Sequence, residues 1–358
     1  MQIDSRSMNE DLRVGLIGFG LGGAVFHAPL IAATRGLLLK AVVTSDPERA
    51  RQVELRYPDV TVFDNVRRLW AHREDFDLVV VASPNRTHVP LARAALAAGL
   101  HVVVDKPMAA TADDGRSLLE EARRRGLLLT PFHNRRWDGD FMTVRGLLAR
   151  GELGRVQRFE SRFERWRPQP KAGWRQSGEP GEAGGLLYDL GSHLIDQALV
   201  LFGSARSVYA ELEPFYEGSE TDNDSFVSLT HEGGVRSHLW MSIAAAQAGP
   251  RFRVLGSEAA YTKFGMDVQE EALQLGGRPG ESGWGEEVES RWGLLGAGED
   301  LRPVPTEPGS YHRFYEGVVA AIREGAPPPV EAADAVAMLE VIEAARLSHA
   351  EGQTVKLK

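Results

Sequence analysis

The sequence predicts an α/β fold joined to an α+β one: a doubly wound parallel sheet in the first part of the chain and a largely antiparallel open sheet in the second. Three observations predict it. A short apolar run from Leu12 to Ile17 breaks into glycines and resumes as a helical pattern through Ala33. Apolar runs of strand length then alternate with amphipathic stretches as far as Thr130, the pattern of parallel strands joined by crossover helices. From Arg155 the period becomes two, with tight turns between the runs, the pattern of antiparallel strands. The length of 358 residues suits two cores, assigned to residues 1–131 and 132–358.

Composition narrows the classes of function. The formal net charge of −9 gives no basic footprint, so no nucleic-acid partner is expected. No apolar run approaches the ~20 residues of a membrane span, and the polar start MQIDSRSMNED has no apolar signal core. The expectation is a cytoplasmic protein that uses neither membrane nor nucleic acid. The chain has no cysteine, which excludes a disulfide, a thiol nucleophile and a thiolate metal site.

The glycine turn is the first element with chemistry. Gly18-Phe19-Gly20-Leu21-Gly22-Gly23 fits G-x-G-x-x-G between a strand and a helix. Gly18 makes the turn, Gly20 lets a pyrophosphate approach the backbone, and Gly23 lets the helix pack on the strand. The N–H groups of the helix start then face the phosphates. A dinucleotide-binding Rossmann domain is the expectation. The next strand, Leu37 to Val43, ends in Thr44-Ser45-Asp46-Pro47-Glu48-Arg49, where the adenosine ribose would lie. Two hydroxyls and Arg49 suit a 2′-phosphate and hence NADP. The alternative is that Asp46 binds the ribose hydroxyls of NAD and Arg49 is an ordinary solvated charge.

A short strand, Val60 to Phe63, and a helix led by Asn65 follow, then the apolar strand Asp77 to Ala82. Its carboxyl end, Ser83-Pro84-Asn85-Arg86-Thr87-His88, shares the ligand-binding edge of the sheet with the glycine turn. Pro84 and Asn85 read either as cofactor contacts or as turn formers. After the Ala-rich helix Val89 to Ala98, the strand His101 to Val104 runs into Asp105-Lys106-Pro107. Lys106 is one of six lysines and stands where it can reach a substrate oxygen and the nicotinamide ribose together; a solvated loop lysine is the plainer reading. Pro107 fixes this loop, with a cis bond as one way of doing so. Thr111 caps a helix reaching Gly126, and Leu127 to Thr130 returns to the sheet before Pro131 to Asp138 leaves it.

In the second part, strands are expected at Phe159 to Trp166, Ser207 to Leu212, Ser225 to His231, Val235 to Ile243 and Phe252 to Tyr261, with a hairpin at Gly233-Gly234. The glycine-rich, charged stretch from Gly276 to Asp300 reads as ordered loops. Two helices close the chain: Tyr311 to Glu324 behind a capping Ser310, and Glu331 to Ala350 after three prolines. One further helix differs from these. Asp189, His193 and Asp196 stand at i, i+4 and i+7 and form a polar stripe on an otherwise apolar helix. Imidazole flanked by carboxylates suits proton transfer, the carboxylate orienting the ring and stabilising its cation. The alternative is a hydrogen-bonded core histidine. No HExxH pattern accompanies the stripe, so no metal is expected.

Taken together, GFGLGG at 18–23, SPNRTH at 83–88, DKP at 105–107, GG at 184–185 and D-x-x-x-H-x-x-D at 189–196 resemble the glucose-fructose oxidoreductase and inositol dehydrogenase family, Gfo/Idh/MocA. The resemblance covers nearly the whole chain. VFHAPL, FHNRRWD, YDLGSHLIDQ and GSY at 309–311 look most like its NADP-dependent inositol dehydrogenase branch. Two positions depart from the family's pattern: Asp105 replaces the common glutamate before the lysine, and Asp46 replaces the arginine beside the ribose serine. The resemblance implies a catalytic group of Lys106, Asp189 and His193, and a cofactor site of residues 18–23, Thr44, Ser45, Arg49, Ser83, Pro84, Asn85, His88, Asp105 and Lys106. It further implies substrate contacts from Asn134, Trp137, Arg165, Tyr188, Asp189, His193 and Tyr311. The implied reaction is hydride transfer between NADP, or NAD, and a secondary alcohol of an inositol or sugar. A homodimer or homotetramer is expected, built on the second sheet, whose outer face carries Trp166 and Trp240. A nucleotide-binding regulator without turnover and an NAD-assisted glycoside hydrolase are the rival readings.

Overall fold

The computed structural model describes residues 10–168 and 177–357. Six parallel strands form the first sheet in the order β3-β2-β1-β4-β5-β6: β1 Leu12–Ile17, β2 Leu37–Val43, β3 Thr61–Phe63, β4 Leu78–Val81, β5 His101–Asp105 and β6 Leu129–Phe132. The order reverses beside β1, so the carboxyl ends of β1 and β4 open a crevice between them. Strands buried on both faces need continuous apolar runs, and β4 (Leu-Val-Val-Val) is buried throughout. The crossover helices are α1 Ala28–Ala33, α2 Pro47–Arg56, α3 Val66–Ala71, α4 His88–Ala97 and α5 Ala112–Arg125. Thr111 caps α5 by accepting from the Asp114 N–H, as its position before the helix predicts.

The second sheet has nine strands in the order β14-β13-β12-β11-β7-β10-β9-β8-β15. It comprises β7 Arg158–Glu164, β8 Ala205–Glu213, β9 Asp224–His231, β10 Arg236–Ser242, β11 Phe252–Leu255, β12 Ala260–Lys263, β13 Gly293–Ala297, β14 Asp300–Val304 and β15 Val355–Lys356. Every pair is antiparallel except β7 and β10. The hairpin at Gly233-Gly234 joins β9 to β10 as expected. Three features depart from the sequence reading. The run Phe252 to Tyr261 is two strands, because the chain turns at Gly256, where a Cβ would lie 1.8 Å from the Leu153 carbonyl oxygen. The stretch read as loops contains β13 and half of the β13–β14 hairpin; glycines at 293 and 296 hide its alternation. Ser310 does not cap the late helix: its hydroxyl faces Met142 Sδ at 3.7 Å.

Helices α6 Gly139–Ala149, α7 Ser192–Phe202, α8 Gln269–Gln274, α9 His312–Glu324 and α10 Ala332–Glu351 complete the chain. The last two bind the sheets together. Phe314, Tyr315 and Val318 of α9 join the core of Val14, Leu16 and Phe132, while Met338, Leu339 and Ile342 of α10 pack with Val208 and Val227 of the second sheet. Both halves of the cleft are thereby held on one packed body. Two π-helical turns, Gly22–His27 before α1 and Leu187–Gly191 before α7, interrupt regular helix where the chain meets the cleft.

Candidate active site

A cleft of about 600 Å³ lies outside the carboxyl ends of the first sheet. Residues 18–22 of the glycine turn form one wall, and the three glycines of the motif differ in what they do. Gly18 has φ +101°, and a Cβ there would meet the Ala82 carbonyl oxygen at 2.3 Å. A Cβ on Gly23 would meet the Gly18 carbonyl oxygen at 2.1 Å, so this glycine packs the turn on itself and does not line the cleft. At Gly20 the nearest atom is Arg49 Nη1 at 3.9 Å, which leaves its backbone open to a ligand. Phe19 is 2% exposed and lines the inner wall, and Leu21, 53% exposed, lines the rim. That open glycine and the 600 Å³ beside it fit a dinucleotide.

At the ribose end Thr44, Ser45 and Arg49 line the cleft and Asp46 does not. Asp46 caps α2, its Oδ1 accepting from the N–H groups of Glu48 at 2.9 Å and Arg49 at 3.3 Å. Its other oxygen lies 3.4 Å from Arg49 Nε, so the carboxylate holds the arginine in place. Asp64, Asn65 and Val66 line the same end and escaped the sequence reading. Their signal was Asn65, which caps α3 directly after β3 and so places that corner on the ligand-binding edge.

Ser83, Pro84, Asn85 and His88 also line the cleft. Ser83 Oγ and Thr87 Oγ1 share a hydrogen bond of 2.6 Å. The His88 ring nitrogens lie 2.8 Å from the Pro107 and Ser83 carbonyl oxygens; burial holds its pKa below the ordinary imidazole value, so the neutral ring donates to one of the two. Asn85 donates to the Glu182 carbonyl at 2.9 Å, while Arg86 pairs with the Glu182 carboxylate. This segment therefore lines the cofactor cleft and clasps the second half of the chain at once.

Asp105 turns back to accept from the Lys106 N–H at 2.8 Å, with His27 Nε2 at 3.9 Å from its other oxygen. Burial opposes its charge, yet His27, Lys106 and His88 outweigh burial and hold it down to about 2. It therefore adds a fixed negative charge beside Gly22. The Lys106–Pro107 bond is cis. Lys106 Nζ donates to Asp189 twice, to Oδ1 at 2.8 Å and to the main-chain carbonyl at 2.6 Å. Lys106 and Asp189 both line the cleft, and Lys106 is only 14% exposed.

His193 stands one helical turn further on, 6% exposed, with Nδ1 buried and unpartnered among the described residues. The expected carboxylate support is absent on the Asp196 side. Asp196 points away and chelates Arg136, at 2.6 Å to Nη2 and 2.9 Å to Nε. The physical reason is competition: His193 and Asp196 share the regular helix α7, but the Arg136 guanidinium takes both Asp196 oxygens, while the π turn at Leu187–Gly191 shifts only Asp189 relative to them. The charges acting on His193 are cationic instead. Burial first, then Lys106, Arg135, His133 and Arg251, push its pKa well below the ordinary imidazole value. The ring is neutral at pH 7 and able to take a proton.

The expected substrate contacts divide. Arg165 is half-buried, stacked over Phe163 at 4.7 Å, and within electrostatic reach of Glu270 and Asp189. Asn134 is 5% exposed in the turn after β6, and Trp137 is half-buried edge-on to Phe314 at 5.8 Å. Of the expected substrate contacts only Asp189 lines the cleft; Asn134, Trp137, Arg165, Tyr188, His193 and Tyr311 do not, and the two tyrosines are committed elsewhere. The Tyr188 hydroxyl donates to the Ala110 carbonyl at 3.0 Å within the second core. Tyr311 is wholly buried and donates to Asp138 at 2.6 Å. The sequence reading also missed Arg135, which is buried, ion-paired to Glu270 at 2.6 Å and among the charges acting on His193. The clue was two arginines directly after a buried strand.

Comparison with known proteins agrees with this geometry. The chain matches the oxidoreductase family's NAD-binding Rossmann fold over residues 12–133 and its C-terminal alpha/beta domain over residues 145–357. It is 41% identical over 340 residues to the uncharacterized oxidoreductase YdgJ of Escherichia coli, covering 94% of this chain and 96% of that one. It is 35% identical over 360 residues to the NADP-dependent scyllo-inositol 2-dehydrogenase IolW of Bacillus subtilis, covering 99% of each. The solved structure of the oxidoreductase YPO2259 of Yersinia pestis superposes with a TM-score of 0.91 at 40% identity, covering 99% of each chain. The chain belongs to the Gfo/Idh/MocA oxidoreductase family.

Proposed function

We propose that this Gfo/Idh/MocA oxidoreductase transfers a hydride between the nicotinamide of NADP and a secondary alcohol of an inositol or sugar, with a scyllo-inositol-like polyol as the leading substrate. The observation that carries the reading is the Lys106–Asp189 pair in the lining of the dinucleotide cleft, with a neutral, buried His193 behind it within electrostatic reach of Lys106. The similarity to a scyllo-inositol dehydrogenase supports the substrate class. The cap that Asp46 makes on α2, which leaves Arg49 at the ribose end, supports NADP over NAD.

The bound cofactor supplies the hydride acceptor or donor. Residues 18–22, Ser83, Pro84 and Asn85 hold it against the sheet edge. His193 takes the hydroxyl proton of the alcohol as its carbon is oxidised, and returns it in reduction. Lys106 places a positive charge where the oxygen gains negative charge, and Asp189 fixes the lysine through two hydrogen bonds. Asp189 keeps capacity to accept from a neighbouring substrate hydroxyl, since its side chain is 33% exposed. A panel of inositols and aldoses, each with NADP and NAD and read at the nicotinamide absorbance, tests the reading. Absence of turnover on every polyol and aldose would remove the substrate class.

The oligomer belongs to the same proposal. Phe226 and Trp240 pair at 5.1 Å on the outer face of the second sheet, Arg162 lies 3.9 Å over the Trp240 ring, and Trp166 is 56% exposed. A second copy covers this face in a homodimer or homotetramer. A monomeric mass by light scattering at micromolar concentration contradicts it.

A further inference from the structure

His133 has no part in the reaction described, yet it is 1% exposed and both its ring nitrogens are buried and unpartnered among the described residues. Its ring stands edge-on to His193 with centroids 6.3 Å apart. On the other side, His133 Nδ1 lies 3.8 Å from Asp196 Oδ2. Asp196 is bound to Arg136, and Arg136 Nη2 continues to Asp334 at 2.9 Å, whose side chain is 45% exposed. Arg136, Asp196 and Asp334 line a second cavity of about 590 Å³, walled by α7, α10 and the chain end at Lys356 and Leu357. A file of titratable groups thus runs from the base at one cavity to solvent at another.

We propose that His133 carries the proton between His193 and this second cavity by way of Asp196. The inference rests on the proposed function, in which His193 takes a proton in a site closed on the cleft side by cofactor and substrate. In oxidation the alcohol proton goes to one nitrogen of His193 and the hydride leaves the same carbon for the nicotinamide. The N–H on the far nitrogen of His193 passes to the facing lone pair of His133, across one bridging water. His133 Nδ1, 3.8 Å from Asp196 Oδ2, gives its N–H proton to Asp196 once the two close to hydrogen-bond length, and Asp196 releases it to the cavity. Each electron pair stays on its own nitrogen or oxygen; each ring ends with its N–H on the nitrogen that received the proton, so the tautomers are reset through water before the next turnover in the same direction, and reduction runs the same steps backwards. His133 touches neither substrate nor cofactor; it acts through His193.

The surroundings allow both directions. Burial lowers the His133 pKa, Asp196 raises it, Arg136 and Lys106 lower it, and Asp334 raises it. The two rings are thus both held neutral, so neither traps the proton.

The test uses the full-length protein with His133→Gln, which keeps polar contacts but cannot titrate, and His133→Ala, which leaves room for a free imidazole. Both should lower kcat by about 10²-fold, the low end for a group that must move a proton, with the cofactor KM unchanged. The solvent deuterium isotope effect on kcat should rise, and added imidazole should restore His133→Ala but not His133→Gln. Wild-type kcat and isotope effect in both variants overturn the relay, as does a loss in His133→Ala that imidazole does not repair while His133→Gln stays active. His193→Ala in the same assay separates the two levels: activity retained there removes the base itself, whereas its loss alongside active His133 variants removes only the relay.

Discussion

Removal of Arg49 tests the cofactor reading most directly. Its guanidinium reaches back to within 3.9 Å of a Cβ built on Gly20 and forms part of the ribose end of the cleft. A charge-assisted hydrogen bond to a 2′-phosphate contributes roughly 1.5–3 kcal/mol. Two features of the structure place Arg49 at the low end. The side chain is 49% exposed, so solvent screens it, and Asp46 Oδ2 competes for it at 3.4 Å. The expected loss in Arg49→Ala is therefore about tenfold in NADP affinity, from 1.4 kcal/mol per decade, with NAD affinity nearly unchanged. Asp46→Asn keeps an oxygen to cap α2 but removes the competing charge, so it should tighten NADP binding slightly. Titration of both cofactors by fluorescence or calorimetry reads these differences. Equal losses for NADP and NAD in Arg49→Ala would put the arginine outside the 2′-phosphate pocket. A wild type that prefers NAD, weakened in Asp46→Asn, would show the carboxylate serving the ribose after all.

The remaining expectations use simpler assays. Lys106→Ala and His193→Ala should each lose roughly 10²–10⁴-fold in turnover, with folding checked by circular dichroism because Lys106 is 14% and His193 6% exposed; near-wild-type rates at neutral pH would refute the assigned roles. Thermal stability should fall as pH drops through the ordinary imidazole range. Burial depresses the folded-state pKa of His88, His133, His193 and His231, so below about 6.5 the unfolded chain binds more protons than the folded one and ΔG of unfolding decreases. A midpoint temperature flat from pH 8 to pH 5, scanned by circular dichroism, contradicts that burial. Gly18→Ala should lower the melting temperature through a strained φ and a backbone clash, whereas Gly20→Ala should keep it and weaken cofactor binding. The reverse ranking would mean that the two glycines have been assigned each other's tasks.

The parts legible in the sequence were those set by local rules. Continuous apolar runs located β1, β2, β4 and β5, and glycine spacing located the turn whose steric needs the structure bears out at Gly18 and Gly23. Hidden parts depend on contacts far along the chain. The strand β13, Gly293–Ala297, has too much glycine for its alternation to register, and β15 is two residues long; both exist because a neighbouring edge is there to pair with. Tyr188 and Tyr311 look like substrate contacts by motif, but a buried hydroxyl takes whichever acceptor lies nearest, and here those are Ala110 and Asp138.

The polar stripe shows how the fold can change the reason for which residues are singled out. Helical spacing singled out Asp189, His193 and Asp196, and predicted carboxylates that would stabilise an imidazolium. The fold divides them: Asp189 holds Lys106, and Asp196, although one turn from His193 on regular helix, chelates Arg136. His193 is left between cations, which disfavour its charged form. For a residue that must accept a proton, this environment has a definite consequence. As the base proposed above, His193 would be unprotonated at neutral pH, and its conjugate acid would be driven to lose the proton again. A histidine paired to a carboxylate would hold the proton longer. In the proposed reaction, burial and the cations around His193 favour release of the proton over its capture, so the route by which it leaves would help set turnover.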